Sequence, residues 1–153
     1  MRIEIKIISQ SLDVIDNNQK IIKSYQVSSA KNGAGQDRGS FCTPLGKHVI
    51  RAKIGGNQPV NTVFIGRRPT GEIYSPSLGE KYQGRDWILT RILWLSGCEP
   101  GFNRLGTVDT MRRYVYIHGS PDSIDIGEPG SIGCIRMLNT DLLELFDLTD
   151  VGT

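Results

Sequence analysis

His118-Gly119 and Gly133-Cys134 bring a base and a nucleophile into one short stretch, sixteen residues apart, with a glycine beside each. A cysteine attacks through its thiolate, and a free thiol titrates near 8.5, so a neighbouring base is what makes it reactive at neutral pH. Attack on a carbonyl also builds an oxyanion, which needs backbone N–H groups aimed at it. Glycine before Cys134 lets the chain turn sharply, so that the N–H groups of Gly133 and Cys134 can point the same way. The chemistry this pattern supports is acyl transfer, with Cys134 as nucleophile and His118 as base. Arg136 is a fixed cation two residues on. It either grips a substrate carboxylate through its planar fork or closes an internal salt bridge.

Strands must position these groups. Tyr114 to His118 alternates, with Val115 and Ile117 on one face and Tyr114, Tyr116 and His118 on the other, which puts His118 at a strand end facing away from the aliphatic pair. Residues 2–8 alternate Ile3, Ile5 and Ile7 against charged neighbours, and Leu12 to Ile15 gives a second short strand. The Asp16-Asn17-Asn18-Gln19 turn leads into a third from Lys20 to Ser28, and tight turns favour antiparallel pairing. Lys31 to Ser40 is polar and glycine-rich and reads as a mobile loop. Lys47 to Ile54 is strand-like, with His48 facing solvent, and Val63 to Ile65 is a short apolar strand.

Arg67 to Asp86 has no clear period and reads as a long loop of functional use. Ile88 to Leu95 is the strongest apolar run. Trp87 and Trp94 flank it as core residues, with a substrate-stacking wall as their other role. Ser96 to Gly106 is a loop. After Met137, Asn139 or Thr140 caps a helix that places Leu142, Leu145, Phe146 and Thr149 on one face, with Asp141 near its N-terminus. Seven or more short strands and one clear helix make a mainly β sandwich or barrel.

Composition narrows the function. Eighteen basic residues against sixteen acidic give a net charge of +2, too balanced for a nucleic-acid binder, and Arg67-Arg68 and Arg112-Arg113 read as solvated surface. No apolar run is long enough to span a bilayer. The N-terminus alternates charged and apolar residues, without the apolar h-region and cleavage site of an export signal, which points to the cytoplasm, or to the periplasm if a signal has been trimmed. Three cysteines, Cys42, Cys98 and Cys134, cannot all pair and fit a reducing compartment. Their spacing and that of the two histidines suits no zinc site, and no cofactor is expected. Cys42 and Cys98 are small apolar fillers. Gly127, Gly130 and Gly133 lack the Lys-Ser/Thr of a phosphate loop and shape the approach to Cys134 instead.

His118-Gly119 followed by Ser131-Ile132-Gly133-Cys134-Ile135-Arg136 resembles the signature of the L,D-transpeptidase (YkuD) catalytic domain. Thr43-Pro44-Leu45-Gly46 is similar to that family's Thr-Pro-x-Gly lead into an early strand, and the resemblance covers nearly the whole chain as one domain, 1–153. One position departs: where the family keeps a histidine before Gly-Cys, this chain has Ile132, so His118 alone can serve as base. The resemblance implies an L,D-transpeptidase-like β fold with a short C-terminal helix, a flap from the 67–86 region, and a further strand after the point where this sequence stops. It implies that the Gly119 carbonyl orients His118 and that Ser131 and Arg136 contact substrate. The implied substrate is a peptidoglycan stem tetrapeptide or muropeptide, cut between the L-centre of its third-position diamino acid and the terminal D-Ala, with carbapenems as inhibitors. With no export signal, the expected role is a cytosolic L,D-carboxypeptidase of peptidoglycan recycling. The alternatives are an exported L,D-transpeptidase making 3→3 cross-links, a general cysteine protease, and a non-catalytic cell-wall binding module.

Overall fold

The computed structural model describes all 153 residues. Strands β1 (Arg2–Lys6), β2 (Ser11–Ile15) and β3 (Ile21–Gln26) form an antiparallel three-stranded sheet in that order. Six further strands form a second sheet: β4 (His48–Ile54), β5 (Thr62–Ile65), β6 (Arg68–Ile73), β7 (Ile88–Gly97), β8 (Tyr116–Gly119) and β9 (Ile135–Met137). They run β6-β5-β7-β8-β9, with β4 also paired to β7. All neighbours are antiparallel except β8 and β9, which are parallel.

Helix α2 (Asn139–Leu148) and the small sheet pack on one face of the large one. The core between them holds Leu12, Val14, Leu93, Ile117, Ile135 and Leu142, all close to fully buried. Val115 and Ile117 point into this core, while Tyr116 joins Cys134, Phe64 and Ile92 on the opposite face, as the alternation in the sequence dictates. The apolar stripe of α2 is likewise buried at Leu142, Leu145, Phe146 and Thr149. The fold is mainly β, as expected. The backbone of Gly152 and Thr153 hydrogen-bonds to Ile50 on β4. No helix is long and apolar enough to cross a membrane.

Four local expectations are corrected. The 67–86 segment is not a plain loop, for it holds β6 and a short helix α1 (Pro76–Lys81). Gly66 and Arg67 both have positive φ, at 55° and 65°, and close a tight hairpin that pairs Ile65 with Arg68. Pro69 is tolerated because β6 is an edge strand. Ser75 Oγ accepts from the Leu78 N–H and Pro76 occupies the first turn of α1, a capping signal present in the sequence.

The 31–40 loop is tied down rather than free: Gly35 N–H donates to Thr43 O, Thr43 N–H donates to Gly33 O, and Arg38 N–H reaches Thr107 O. Neither Asn139 nor Thr140 caps α2; Leu138 holds the cap position, and the Asn139 side chain turns inward. His48 is half-buried, not solvent-facing, with Nδ1 at 2.9 Å from Gly46 O and Nε2 at 2.9 Å from Thr110 Oγ1.

Candidate active site

Two short parallel strands carry the site. In their register Ile117 pairs with Ile135 and His118 with Arg136, so Cys134, just before β9, lies beside Tyr116. Paired residues share a face, and so do residues two apart, so Tyr116, His118, Cys134 and Arg136 all project from the face opposite the main core. His118 and Cys134 are diagonal neighbours on that face.

His118 is fully buried. Its Nδ1 lies 2.7 Å from the Gly119 carbonyl, which can only accept, so Nδ1 carries the proton and Nε2 presents a lone pair. Nε2 has no hydrogen-bond partner. Burial lowers the imidazole pKa below its ordinary value and keeps the ring neutral. Burial pushes the Cys134 thiol up to about 12. Both shifts favour the proton on sulfur, which biases the resting pair toward thiol and neutral imidazole. The Cys134 sulfur accepts from Tyr116 N–H at 3.3 Å and lies 3.5 Å from Tyr114 O, to which the thiol can donate. Transfer to His118 therefore requires the S–H to turn away from the Tyr114 carbonyl.

Gly119 has to be glycine for reasons of space. A Cβ there would collide with Asn139 Oδ1 and would sit 2.8 Å from Leu89 O. Asn139 is held in turn: Thr90 Oγ1 donates to its Oδ1 at 2.6 Å, and its Nδ2 donates to Ser120 O at 2.9 Å. Thr90 occupies an irregularity in the β7–β8 pairing, at a positive φ of 74°. Asn139 and Thr90 thus buttress the residue that aims the base. Sequence reasoning missed both, and only Asn139's place at the helix start gave a signal, which pointed to a cap.

The turn before Cys134 is closed internally. Ser131 Oγ donates to Cys134 O at 2.5 Å and accepts from Gly133 N–H at 3.1 Å. Thr43 Oγ1 donates to Gly133 O at 3.0 Å, which gives the Thr43-Pro44 motif a purpose at the nucleophile. Gly133 adopts a φ of +137°, which only glycine takes readily. These contacts change two expected roles. Buried Ser131 shapes the turn and is not free for substrate, and Gly133 N–H is taken by Ser131, leaving Cys134 N–H as the unpartnered donor of the two. Arg136 donates to Asp86 Oδ1 at 2.9 Å and to Gly130 O at 3.1 Å, the internal salt bridge of the two roles the sequence left open.

A cleft of about 770 Å³ opens beside Cys134. Arg38, Arg67, Arg85, Arg112 and Arg113 line it, and Asp86 is its one acidic residue. Of the two basic pairs only Arg68 stays on the solvated surface away from the cleft: Arg67 and both residues of Arg112-Arg113 converge here from distant parts of the chain. Exposed Ile132, at the position of the departing residue, lines it too. Trp94 makes no open stacking wall, since Arg67 covers it at 4.8 Å. Cys42 and Cys98 are free thiols. Cys42 contributes its backbone carbonyl, which accepts from Arg113 at 2.7 Å.

The whole chain, residues 1–153, matches the family model of the YkuD L,D-transpeptidase catalytic domain. The chain belongs to that family. Among solved structures, it is similar to the L,D-transpeptidase of Xylanimonas cellulosilytica, with a TM-score of 0.53 and 18% identity over 99% of this chain and 56% of that one. An L,D-transpeptidase from Mycobacterium smegmatis gives 0.51 and 19% over 95% and 52%. The transpeptidase LdtMt1, solved with imipenem, gives 0.53 and 19% over 95% and 53%. At such identities the likeness speaks for the fold, and the chain spans about half the length of these relatives. No curated protein matches the sequence. In this member of the family, His118 and Cys134 share one face of one strand pair.

Proposed function

We propose that this YkuD domain cleaves peptidoglycan stem tetrapeptides through a Cys134 thioester, between the third-position diamino acid and the terminal D-Ala, and that water takes the acyl group. The observation that carries this is the buried, unpartnered Nε2 of His118, on the face that holds Cys134 and fixed as a lone pair by the Gly119 carbonyl. Cys134 Sγ attacks the carbonyl carbon as its proton passes to His118 Nε2. The oxyanion is met by the Cys134 N–H, and loss of such a donor costs roughly 3 kcal/mol. The C–N bond then breaks, and the imidazolium gives its proton to the leaving amine of D-Ala. In the second half His118 takes a proton from water, hydroxide adds to the thioester, and the tripeptide carboxylate leaves as the sulfur is reprotonated.

Hydrolysis is favoured over cross-linking by the charge of the cleft. An amine acceptor arrives as an ammonium, which the five arginines repel and which the one aspartate, already paired with Arg136, does little to attract, whereas water is indifferent to them. The same reading places the enzyme in the cytosol, where recycled stem peptide is the substrate at hand. Incubation with tetrapeptide and with tetrapeptide-containing muropeptide, followed by product separation, tests both halves. Tripeptide and free D-Ala are the expected products. Mostly 3→3 dimers would defeat the hydrolytic reading, and an upstream export signal in the native gene would defeat the cytosolic one. Imipenem is expected to acylate Cys134, mapped by mass spectrometry.

A further inference from the structure

We infer that the cleft beside Cys134 selects its peptide by carboxylates, taking an acidic stem peptide whose α- and side-chain carboxylates are free in preference to the amidated peptide of the same length. This deepens the proposed function and rests on it for the identity of the peptide.

The five arginines come from four separate stretches: the 31–43 loop (Arg38), the β5–β6 turn (Arg67), the lead into β7 (Arg85) and the lead into β8 (Arg112, Arg113). A chain with a net charge of only +2 has gathered them into one concavity. Like charges so placed repel one another unless an anion joins them. The cleft's own aspartate does not serve, because Asp86 is paired with Arg136 at 2.9 Å.

Three of the guanidinium groups are held in place. Arg67 stacks 4.8 Å from the ring centres of both Trp94 and Tyr114 and donates to Tyr116 Oη at 3.0 Å. Arg85 lies over Tyr82 at 4.3 Å and Trp87 at 4.7 Å. Arg113 donates to Gly35 O, Ser40 Oγ and Cys42 O. A planar fork already oriented loses little freedom when a carboxylate docks on it.

Donors are also left over. Arg85 Nη1 is buried without a hydrogen-bond partner and has only a long ion pair, to Glu72 at 3.9 Å. The side chains of Arg38 and Arg112 make no hydrogen bond or ion pair at all. Arg38 and Arg112 are exposed at the cleft's rim, so one buried unsatisfied donor and two unpaired cations stand ready for an acceptor that carries charge. A carboxamide offers one oxygen and no charge, and it brings N–H groups toward cations.

The test compares L-Ala-γ-D-Glu-meso-diaminopimelate-D-Ala with the same peptide amidated at the glutamate α-carboxyl and the diaminopimelate side-chain carboxyl. Both keep the scissile bond and the terminal carboxylate. Wild-type enzyme is expected to favour the acidic peptide by roughly tenfold or more in kcat/KM, the scale of one charge-assisted contact. Arg38→Gln and Arg112→Gln are expected to narrow that gap, mainly through KM. Calorimetry with Cys134→Ala, which binds without turning over, reads the same preference without chemistry. Equal kcat/KM for the two peptides would overturn the selection and leave the reaction standing. Preferential binding with no D-Ala release by wild type would overturn the reaction and leave the selection standing.

Discussion

His48 and His118 share half of one device. Each sits on a strand of the large sheet, and each has its Nδ1 against a glycine carbonyl close in sequence, Gly46 O at 2.9 Å and Gly119 O at 2.7 Å. Burial lowers the pKa of both. The other nitrogen separates them. Nε2 of His48 meets Thr110 Oγ1 at 2.9 Å, and Nε2 of His118 meets nothing. A histidine that holds a fold together uses both nitrogens. One that takes protons is oriented through one nitrogen and leaves the other empty, at a cost the surrounding fold has to bear.

The largest expected effect breaks the pair apart by function. Cys134→Ala and His118→Ala should each lower turnover by about 10³-fold or more, as loss of a nucleophile or its base does. Cys42→Ala and Cys98→Ala should stay within a few-fold of wild type. His48→Gln should instead lower stability by about 1–3 kcal/mol, since it unpairs partly buried groups, with kcat per folded molecule unchanged. Steady-state kinetics and thermal melts on the same preparations check all five. A His48 variant that folds normally and loses turnover would undo the distinction.

Next comes the group that orients the base. Gly119→Ala has to displace Asn139 or the Leu89 carbonyl, and overpacking of this kind costs about 1–3 kcal/mol. Asn139→Ala removes the partner of Thr90 and Ser120 without crowding Gly119. It should cost about the same in stability and slow kcat with little change in KM, because the imidazole loses its fixed aim. A KM effect alone would place Asn139 in substrate binding instead.

Acid sharpens the comparison more gently. The folded-state pKa of each histidine lies below its ordinary value of 6.5, so the unfolded chain binds protons more readily. The stability each contributes is fully present above pH 6.5 and is lost as the pH falls through that value toward the folded one. Melts from pH 7.5 to 5 should show this slope, reduced in both His48→Gln and His118→Gln. Only His118 should also set the acid limb of kcat/KM, and that limb should lie below pH 6.5. With Cys134 pushed up to about 12, iodoacetamide labelling of the free enzyme should be slow at pH 7 and climb with pH.

What could be read from the sequence divides along the same line. The alternation from Tyr114 to His118 showed which face His118 takes, because a strand has a strict period of two. The Gly-Cys turn was legible because glycine takes readily the sharp turn that the residue before Cys134 needs. Partners brought together across the chain were not legible. Nothing near Arg112, Arg67 or Arg38 in sequence says that they meet, and short-range reading left the first two as solvated surface. Asn139 carried a helix-start signal that the buried space around Gly119 overrode. The β5–β6 hairpin escaped because its turn uses arginine at a positive φ where glycine or asparagine would have announced it.

Arg136 gives the smallest effect. Its partners are Asp86 Oδ1 and Gly130 O, and both sides of the ion pair keep some exposure, at 15% and 32%. Partly exposed pairs contribute about 0.2–1 kcal/mol. If Arg136 only ties Asp86 to the strand beside His118, lysine keeps the charge but loses the fork, since an ammonium has no plane with which to reach both oxygens. Arg136→Lys should then lower the melting point slightly, leave KM unchanged, and resemble Asp86→Asn in both respects. If Arg136 grips a substrate carboxylate, its variant should raise KM while Asp86→Asn, which frees the guanidinium, should lower it. Opposite signs of the KM change in these two variants would return Arg136 to the substrate side, and matching small losses of stability would keep it in the frame that holds His118.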